Sequence, residues 1–320
     1  MTTEKNITVI DLGSNSVRMV INKIHSDGTW DELVKMRSTV RLSEGMGSDN
    51  VLRAASMQRV IDALCNFCAE ARKYKSATIV AIATAAVRTA SNRQIFLDEV
   101  KVKCGIEFDV ISGEDEAYYS YLAARESLNV RNGLIFDTGG GSTEIVLVRN
   151  KELVHSASIP CGAVVLTERM AGRPQPSLYR LVQGYIGSVD WIDKAEGLPL
   201  YGIGGSARTL GSLVKKRCLM PDEVHSLSVP YKDAAAAYQK LFSTPPELRV
   251  NIAGMDKSRA DVLLAGLTPM KVMMDMLGSP KIVLCAYGVK EGVFYRVKNE
   301  ILKSDWGKQS TKTRKVRNKQ

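Results

Sequence analysis

The chain has 320 residues, of which 45% are hydrophobic and 24% charged, as in a globular protein with room for two domains. It has no run of the roughly 18 apolar residues that a membrane helix needs and no signal peptide at its polar start, so we expect a cytoplasmic protein with no membrane partner. The segment 303–320 has seven Lys/Arg and one acidic residue, so it supplies +6 of the net charge of +10. We therefore expect a basic, flexible tail there and no specific nucleic-acid partner.

The first elements are a β-rich segment and a helix. The run ITVIDLGSNSVRMVIN at 7–22 predicts two strands around a glycine turn, and the apolar periodicity of 56–75 predicts an amphipathic helix. Cys65 and Cys68 form a C-x-x-C pair within this helix. Because no second Cys/His pair is near them in the sequence, we interpret both as core thiols rather than as a metal or redox site.

Strands and helices then alternate. The sequence predicts a strand over Ile79–Ala83 and a helix between Asn92, a good N-cap, and Gly105. A further strand is predicted over Ile106–Ile111, and an acid-rich helix begins at Ser112. This alternation is typical of an α/β fold.

An internal repeat follows. The run GLIFDTGGGSTEIVLVR at 133–149 has the same layout as the N-terminal strands and turn. An offset of 126 residues places Asp11 on Asp137. Two such hairpins at corresponding places imply a duplicated domain. We therefore predict one domain over 1–127 and a second over 128–302.

The second half continues the α/β pattern. We predict a helix over 178–195, a strand with a glycine-rich turn in YGIGGSART at 201–209, and a helix over 258–276. A last strand, Lys281–Ala286, leads into YGVKEGVF, whose helix can pack back on the first domain. The segment 217–250 contains several prolines and gives no assigned element.

The two paired turns suit phosphate binding. Glycines let successive backbone N–H groups converge on one point, and Ser and Asn side chains add donors. Neither turn continues as a Walker loop, and one such turn alone could be purely structural, but the pairing favours phosphate. The predicted phosphate-binding residues of the two turns are Gly13, Ser14, Asn15, Ser16, Gly139, Gly140, Gly141 and Ser142. A third glycine-rich turn, Gly204, Gly205 and Ser206 with Arg208 nearby, would suit a further phosphate or a nucleoside.

The acids beside these turns suit a divalent cation. Asp11 and Asp137 end their strands at the turns, and two carboxylates facing a phosphate chain would repel it unless a cation lay between them. Mg²⁺, with Mn²⁺ as the alternative, prefers a few carboxylates together with water and phosphate oxygens, so Asp11, Asp137 and Glu144 are the predicted metal ligands. Glu144 could equally position a water, and the two aspartates could instead be turn formers.

Two further residues are candidates for catalysis. If water is the nucleophile, a base is needed, and the acid-rich helix offers Glu116. Ser112 and Asp115 resemble a capping box, which explains the other acids of this turn, whereas Glu116 falls just past the box. Arg88 follows a predicted strand, where it could hold a transferring phosphoryl group, although a lone arginine in a loop is more often a surface residue.

Seven motifs occur in order along about residues 7–297: IDLGSNSVRMVI, ATAAVRTASN, ISGEDEA, FDTGGGSTEIVLV, GIGGSARTL, SRADVLLAG and YGVKEGVF. Together they closely resemble the exopolyphosphatase/guanosine pentaphosphate phosphohydrolase (Ppx/GppA) family. The resemblance implies an actin-like fold of two ribonuclease-H-like domains around a cleft. It also implies Mg²⁺-dependent release of orthophosphate from inorganic polyphosphate or from guanosine pentaphosphate (pppGpp).

The resemblance also implies residue roles. By similarity, Glu116 is the base that activates water, Arg88 contacts phosphate, and the two loops contact phosphate and metal. The predicted catalytic residues are Glu116, Arg88, Asp137 and Glu144. A one-residue shift in the motif would move the base onto Asp115. The chain stops soon after YGVKEGVF, so it resembles the short, two-domain members, and we expect lower processivity on long chains.

We therefore favour an exopolyphosphatase in which Glu116 takes a proton from the water that attacks the terminal phosphorus. Three alternatives stay open: a pppGpp 5′-phosphohydrolase, a kinase with the same two-loop architecture, and a non-catalytic sensor that binds (p)ppGpp or polyphosphate. Members of the family are often dimeric, so a homodimer is one expectation.

Overall fold

Two β-sheets and the helices around them carry the architecture. A computed structural model describes residues 4–76, 78–172 and 176–317, with 304–317 described by backbone alone. Its strands are β1 (Lys5–Leu12), β2 (Ser16–Ile24), β3 (Trp30–Thr39), β4 (Thr78–Ala83), β5 (Asp109–Val110), β6 (Gly133–Thr138), β7 (Thr143–Arg149), β8 (Glu152–Ile159), β9 (Leu200–Ile203), β10 (Ser228–Pro230) and β11 (Lys281–Leu284). Its α-helices are α1 (Ala54–Lys73), α2 (Ala85–Thr89), α3 (Arg93–Cys104), α4 (Gly113–Leu128), α5 (Ala163–Arg169), α6 (Pro176–Gly187), α7 (Gly204–Lys215), α8 (Pro221–Val224), α9 (Tyr231–Ser243), α10 (Leu263–Met276) and α11 (Val289–Arg317). Short 3₁₀ helices cover Ile192–Ala195, Pro246–Asn251 and Lys257–Arg259.

The strand order shows the same unit twice. The five-stranded sheet has the order β3-β2-β1-β4-β5, in which β1 to β3 are antiparallel neighbours and β4 and β5 run parallel to β1. The six-stranded sheet repeats this order as β8-β7-β6-β9-β11 and adds β10 at its edge. The α/β class and the duplicated, actin-like arrangement are therefore confirmed. We propose 1–127 and 128–302 as the domain limits, since the first sheet ends with β5 and the second begins with β6.

Two helices cross between the halves. Helix α4 packs on β6, β7 and β8 of the second sheet, and α11 packs on α4 and on β1 of the first. Buried side chains from both sheets and both helices, such as Val9, Leu122, Ile135 and Phe294, share one core. The two halves are thus held together through α4 and α11, and α4 carries Glu116 at its start.

Two helices are shorter than the sequence predicts. The helix predicted over 178–195 ends at Gly187, and a separate 3₁₀ helix covers its last residues, Ile192–Ala195. The helix predicted over 258–276 begins as α10 only at Leu263, and a 3₁₀ turn precedes it. The prolines of 217–250 lie at the boundaries of short elements that the sequence pattern did not reveal.

The predicted strand Ile106–Ile111 and the end of the chain also differ from expectation. Strand β5 is an edge strand of only two residues, paired with Ile82 and Ala83. Helix α11 continues to Arg317, so the backbone of the predicted basic tail is helical over its described part. Within the described ranges, no helix is long and apolar enough to cross a membrane.

Candidate active site

The two glycine-rich turns face each other between the sheets. Each closes in the same way, because the N–H of its first glycine donates to the carbonyl of its last serine, at 3.0 Å from Gly13 to Ser16 and 2.9 Å in the second turn. A methyl group added at Gly140 would lie 2.7 Å from Ser14 Cβ, so only glycine lets the turns approach this closely. Both turns therefore line one shared cleft.

Both turns leave backbone N–H groups free. Their carbonyl groups accept hydrogen bonds from the following segments of chain, Asn15 from Val40 and Gly140 from Val164. Among the residues that the structure describes, no acceptor is found for the amides of Ser14, Asn15, Gly140 and Gly141. Free amides at small-residue turns that line a cleft suit the oxygens of a phosphate.

Glu116 and Arg88 form a pair at one end of this cleft. Glu116 lies in the first turn of α4 and lines the cleft, and Arg88 Nη1 donates to Glu116 Oε2 at 3.1 Å and to the Ile111 carbonyl at 2.9 Å. Burial raises the pKa of Glu116 well above its usual value and the charge of Glu144 adds to this rise, while Arg88 opposes it. A buried carboxylate with a raised pKa suits a general base.

The neighbouring acids of α4 do not line the cleft. Ser112 Oγ accepts from the Asp115 N–H at 3.0 Å, and Asp115 Oδ2 accepts from the Ser112 N–H at 3.3 Å, so the predicted capping box is confirmed. Glu114 and Asp115 are both exposed. The geometry therefore gives no support to a base at Asp115 and favours Glu116.

Glu144 lies beside Asp137 on the neighbouring strand. The two are cross-strand partners in β6 and β7, and Ser158 of β8 pairs with Glu144 and donates to its Oε1 at 2.8 Å. Burial raises the pKa of Glu144 to about 7. Ser158 was not among the predicted site residues, because a serine in a strand gives no signal until the strand pairing is known.

Asp11 and Asp137 end equivalent strands on the two sides of the cleft. Burial raises the pKa of both carboxyls, that of Asp137 to about 6, where Asp11 adds to the rise and Arg18 opposes it. A cation between them would relieve this cost, so the pair fits Mg²⁺. No group of three or more acidic, His or Cys side chains in the described parts of the chain is placed to hold a metal. Mg²⁺ would then depend on these two carboxylates, water and phosphate oxygens, and Glu144 as a further ligand stays a prediction.

The repeat places opposite charges at equivalent positions. Arg18 is the partner of Asp11 across β1 and β2, with its Nη1 3.9 Å from Asp11 Oδ2. The equivalent position of the second hairpin is Glu144. On the third strand of each hairpin sheet, the partner of Arg18 is Arg37 of β3, whereas the partner of Glu144 is Ser158 of β8. The first hairpin therefore continues into a second cation and the second hairpin into a serine, so the two hairpins bring different charges to the site.

The third glycine-rich segment begins a helix and is not a turn between strands. Helix α7 starts at Gly204, whose φ of 86° is left-handed, and a methyl group added there would lie 2.5 Å from Asp137 Oδ1. Ser206 is buried, and its Oγ accepts from Arg259 Nη2 at 3.2 Å. Gly204 and Gly205 line the cleft, while Ser206 holds Arg259 there.

A second pocket adjoins the cleft and shares Arg18, Asp137 and Gly204 with it. Its cationic lining, called the basic wall below, consists of Arg18, Lys35, Arg37, Arg208, Lys257 and Lys290. Burial, together with repulsion from Arg18 and Arg37, lowers the pKa of Arg208 to about 10. The Nε atoms of Arg18 and Arg259 are buried with no hydrogen-bond partner within the described residues. Lys290 pairs with Glu291 and Lys35 with Glu32. Arg37, Arg208 and Lys257 form no ion pair within the described residues, so the wall suits an anionic ligand.

Known phosphatases of one family are similar to this chain over most of its length. A model described as the Ppx/GppA phosphatase family matches residues 6–300. A guanosine-5′-triphosphate,3′-diphosphate pyrophosphatase of Pseudoalteromonas translucida is 28% identical, over 94% of this chain and 61% of the relative. Exopolyphosphatase 1 of Mycobacterium bovis is 26% identical, over 90% of this chain and 87% of the relative. The chain thus spans less than two thirds of the length of the pyrophosphatase relatives.

Solved structures show the same fold. A crystal structure of the Aquifex aeolicus member of the Ppx/GppA family has a TM-score of 0.78 and 26% identity, and covers 94% of this chain and 99% of that one. The structure of an exopolyphosphatase from Cytophaga hutchinsonii has a TM-score of 0.84 at 24% identity, and covers 92% of this chain and 98% of that one.

Proposed function

The chain belongs to the Ppx/GppA phosphatase family, and we propose that it is an exopolyphosphatase, which hydrolyses the terminal phosphoanhydride of inorganic polyphosphate and releases orthophosphate. The polarity of the cleft carries this proposal. The buried Glu116 lines the cleft with Glu144 close to it, the free loop amides belong to the turns that line the same cleft, and the basic wall lines the adjoining pocket. A linear polyanion whose last phosphate is held by the amides and whose remainder lies along the basic wall presents its terminal phosphorus to Glu116.

The reaction that these groups suit is attack of water on that phosphorus. Glu116 takes a proton from the water as its oxygen bonds to phosphorus, and the bond to the bridging oxygen breaks. Arg88 already donates to Glu116 and has further N–H groups that can offset charge on the transferred phosphoryl group. Asp11 and Asp137 would hold Mg²⁺, which neutralises charge on the phosphate oxygens when bound. The shortened chain leaves on the side of the basic wall.

The second candidate substrate is pppGpp, which ends in the same kind of phosphoanhydride. Relatives that are 28% identical carry the name guanosine-5′-triphosphate,3′-diphosphate pyrophosphatase. Tyr287 lines the pocket of the basic wall and its ring packs against His225 with centroids 4.9 Å apart, so an aromatic surface for a base is present. The same carboxylates and loops would then act on the 5′ end of the nucleotide.

The test is phosphate release with Mg²⁺ from long polyphosphate, short polyphosphate and pppGpp, by the native chain and two variants. Glu116→Gln removes the proposed base, and Glu114→Gln is its matched control, because Glu114 is an exposed acid in the same helical turn. We expect release from polyphosphate, a loss of roughly 10²-fold or more in Glu116→Gln and no comparable loss in Glu114→Gln.

Each other outcome selects a different function. Release from pppGpp alone would replace polyphosphate by the nucleotide as substrate. Phosphate transfer that requires a hydroxyl acceptor would indicate a kinase. Binding of these ligands without release by any form of the chain would indicate a sensor. Size measurement of the same samples tests the predicted homodimer, and replacement of Mg²⁺ by Mn²⁺ tests the alternative ion.

A further inference from the structure

Three thiols gather between α1 and α3, away from the cleft. Cys65 and Cys68 lie on α1, and Cys104 is the last residue of α3. Cys65 Sγ is 3.6 Å from Cys104 Sγ, whereas Cys68 Sγ donates to the Cys104 carbonyl at 3.5 Å. None of the three lines the cleft, so the proposed hydrolysis makes no use of them.

The close thiol pair is not the one that the C-x-x-C spacing suggests. Cys68 is buried, as expected for a core thiol, and shares the buried stripe of α1 with Leu64 and Ala71. Cys65 is exposed, which corrects its interpretation as a core thiol. Residues three apart on a helix are offset by about 60°, so Cys65 leaves the buried stripe and meets Cys104 at the flank of the helix.

The two sulfurs lie close together, at 3.6 Å. A disulfide needs about 2.05 Å between the sulfurs, so the pair must approach by only about 1.5 Å. Cys104 stands at the end of its helix, followed by Gly105 in the left-handed conformation, and α1 packs directly on α3.

We propose that Cys65 and Cys104 form a reversible disulfide when the chain meets a hydroperoxide. The Cys65 sulfur attacks the peroxide, the O–O bond breaks, and the products are a sulfenic acid at Cys65 and an alcohol, or water if the oxidant is hydrogen peroxide. The Cys104 sulfur then displaces the hydroxyl group, which leaves as water with the Cys104 proton. Two thiols are oxidised to one disulfide and one peroxide is reduced.

The order of the two steps follows from the surroundings of the thiols. Cys65 is exposed and therefore accessible to a peroxide, while Cys104 is only partly exposed. Burial raises the pKa of the Cys104 thiol and the adjacent Cys65 adds to this rise, so Cys104 is not the thiol that reacts first with the peroxide. It is the resolving thiol because it lies next to Cys65, and it gives up its proton as it attacks the sulfenic acid.

The disulfide would join residues that are 39 positions apart. The closed loop contains β4 and the helix α2, which carries Arg88. A crosslink of this length restricts the unfolded chain more than the folded one, so we expect a higher Tm for the oxidised protein than for the reduced protein.

The experiment treats the full-length chain with hydrogen peroxide, blocks the remaining thiols and maps the linked peptides. Cys218→Ser serves as the background, because Cys218 is the remaining exposed thiol among the described residues and could link two molecules. We expect the loss of two thiols per chain, a Cys65–Cys104 peptide, a raised Tm and full reversal by dithiothreitol. Cys104→Ser should abolish the linked peptide, and the matched variant Cys68→Ser should keep it.

Two results would overturn the proposal. One is a Cys65–Cys68 peptide in place of the Cys65–Cys104 peptide. The other is retention of both thiols at peroxide concentrations that oxidise Cys218 in the native chain. Peptide mapping of the native chain gives the same decision without any substitution, so the test does not depend on how well a variant folds.

Discussion

Arg18 and Glu144 occupy equivalent positions in the two hairpins and carry opposite charges, and this difference gives the cleft a direction. Two glutamates would repel a phosphate chain from both sides, and two arginines would hold it without offering a base. Here one hairpin has an arginine and the other a glutamate. Arg18 pairs with Arg37 and both belong to the basic wall, whereas Glu144 lies near Glu116. A chain of phosphates therefore has one favourable orientation.

The first prediction at the residue scale concerns Asp137, whose buried carboxyl has a pKa of about 6 against an ordinary 3.8. The folded chain holds this proton more tightly than the unfolded chain does. The contribution of Asp137 to the free energy of unfolding is therefore fully present below the ordinary pKa and is lost as the pH rises through about 6. We expect Asp137→Asn to be more stable than the native chain at pH 8, by on the order of 3 kcal/mol, and nearly equal to it at pH 4. Thermal unfolding without divalent ions measures this.

The control for this prediction is Asp190→Asn, since Asp190 is exposed. It should leave the Tm unchanged at both pH values. If Asp137→Asn unfolds at a lower temperature than the native chain at pH 8, the carboxylate is stabilised by its neighbours and the cost inferred from burial is wrong. A gain in stability together with a loss of phosphate release would mean that the site is maintained at the expense of folding.

Candidate residues within one local motif could be proposed from the sequence, whereas those that depend on distant segments of the chain could not. The pairing of the two turns predicts phosphate binding by the loop glycines, and the family resemblance implies the role of Glu116 as base. Ser158 pairs with Glu144 only after β7 and β8 have formed, and Arg259 reaches Ser206 across 53 residues. Such partners need a known fold, because polar residues in isolated strands and loops have no distinguishing pattern.

At the scale of elements, α4 connects the chemistry to the packing of the two halves. The Ser112 capping box fixes its start, so Glu116 is held at the cleft by the helix itself. One turn further on, α4 meets α11, where the Tyr119 carbonyl lies against Gly292. A shift of either helix would therefore move the proposed base.

The second prediction is that Gly292→Ala destabilises the chain, because a methyl group at this position would overlap the Tyr119 carbonyl and separate α11 from α4. A cost of about 1–3 kcal/mol is typical of such overpacking, and phosphate release should fall as Glu116 moves. Urea unfolding, monitored by probes in both halves of the chain, measures the loss of stability.

A second glycine gives the matched control. Gly184 lies inside α6, and outside the neighbouring backbone of its own helix no atom of the described residues lies within 4 Å of an added methyl group. Gly184→Ala should therefore stabilise the chain by roughly 0.5–1 kcal/mol, since alanine is the better helix former. Equal effects of the two substitutions would show that helix propensity, and not the crossing of α4 and α11, decides the result.

Elements with strong local signals were predicted well, and those set by tertiary packing were not. The apolar stripe of α1, the capping box of α4 and the glycine that ends α3 are visible in the sequence and are present in the structure. The short strand β5 and the helices of 217–250 are stabilised by their neighbours, so their own residues carry weak patterns.

At the scale of the whole molecule, the duplicated sheets bring three kinds of chemical group to the cleft and the pocket that adjoins it. Glu116 of α4 with Glu144 close to it, the amides of two turns and the cations of β2, β3 and α7 come from both halves. The repeat made the pairing of the two turns predictable from the sequence. The basic wall was not, because Lys35 and Arg37 belong to none of the motifs, and they meet Lys290 of YGVKEGVF only when α11 packs back on the first half.

The last prediction tests whether the basic wall binds the part of the substrate that leaves. Arg208→Gln should weaken binding of long polyphosphate and raise its KM, while kcat for the terminal phosphate changes little, since Arg208 lies away from Glu116. Its removal should also flatten the dependence of log K on log salt by about one unit, as for the loss of one phosphate contact. Lys215→Gln is the control, because Lys215 is an exposed cation on the same helix and does not line the wall. If the two variants have equal effects, the net charge of the chain and not the basic wall determines polyphosphate binding. If kcat falls while KM is unchanged, Arg208 acts at the reacting phosphate instead.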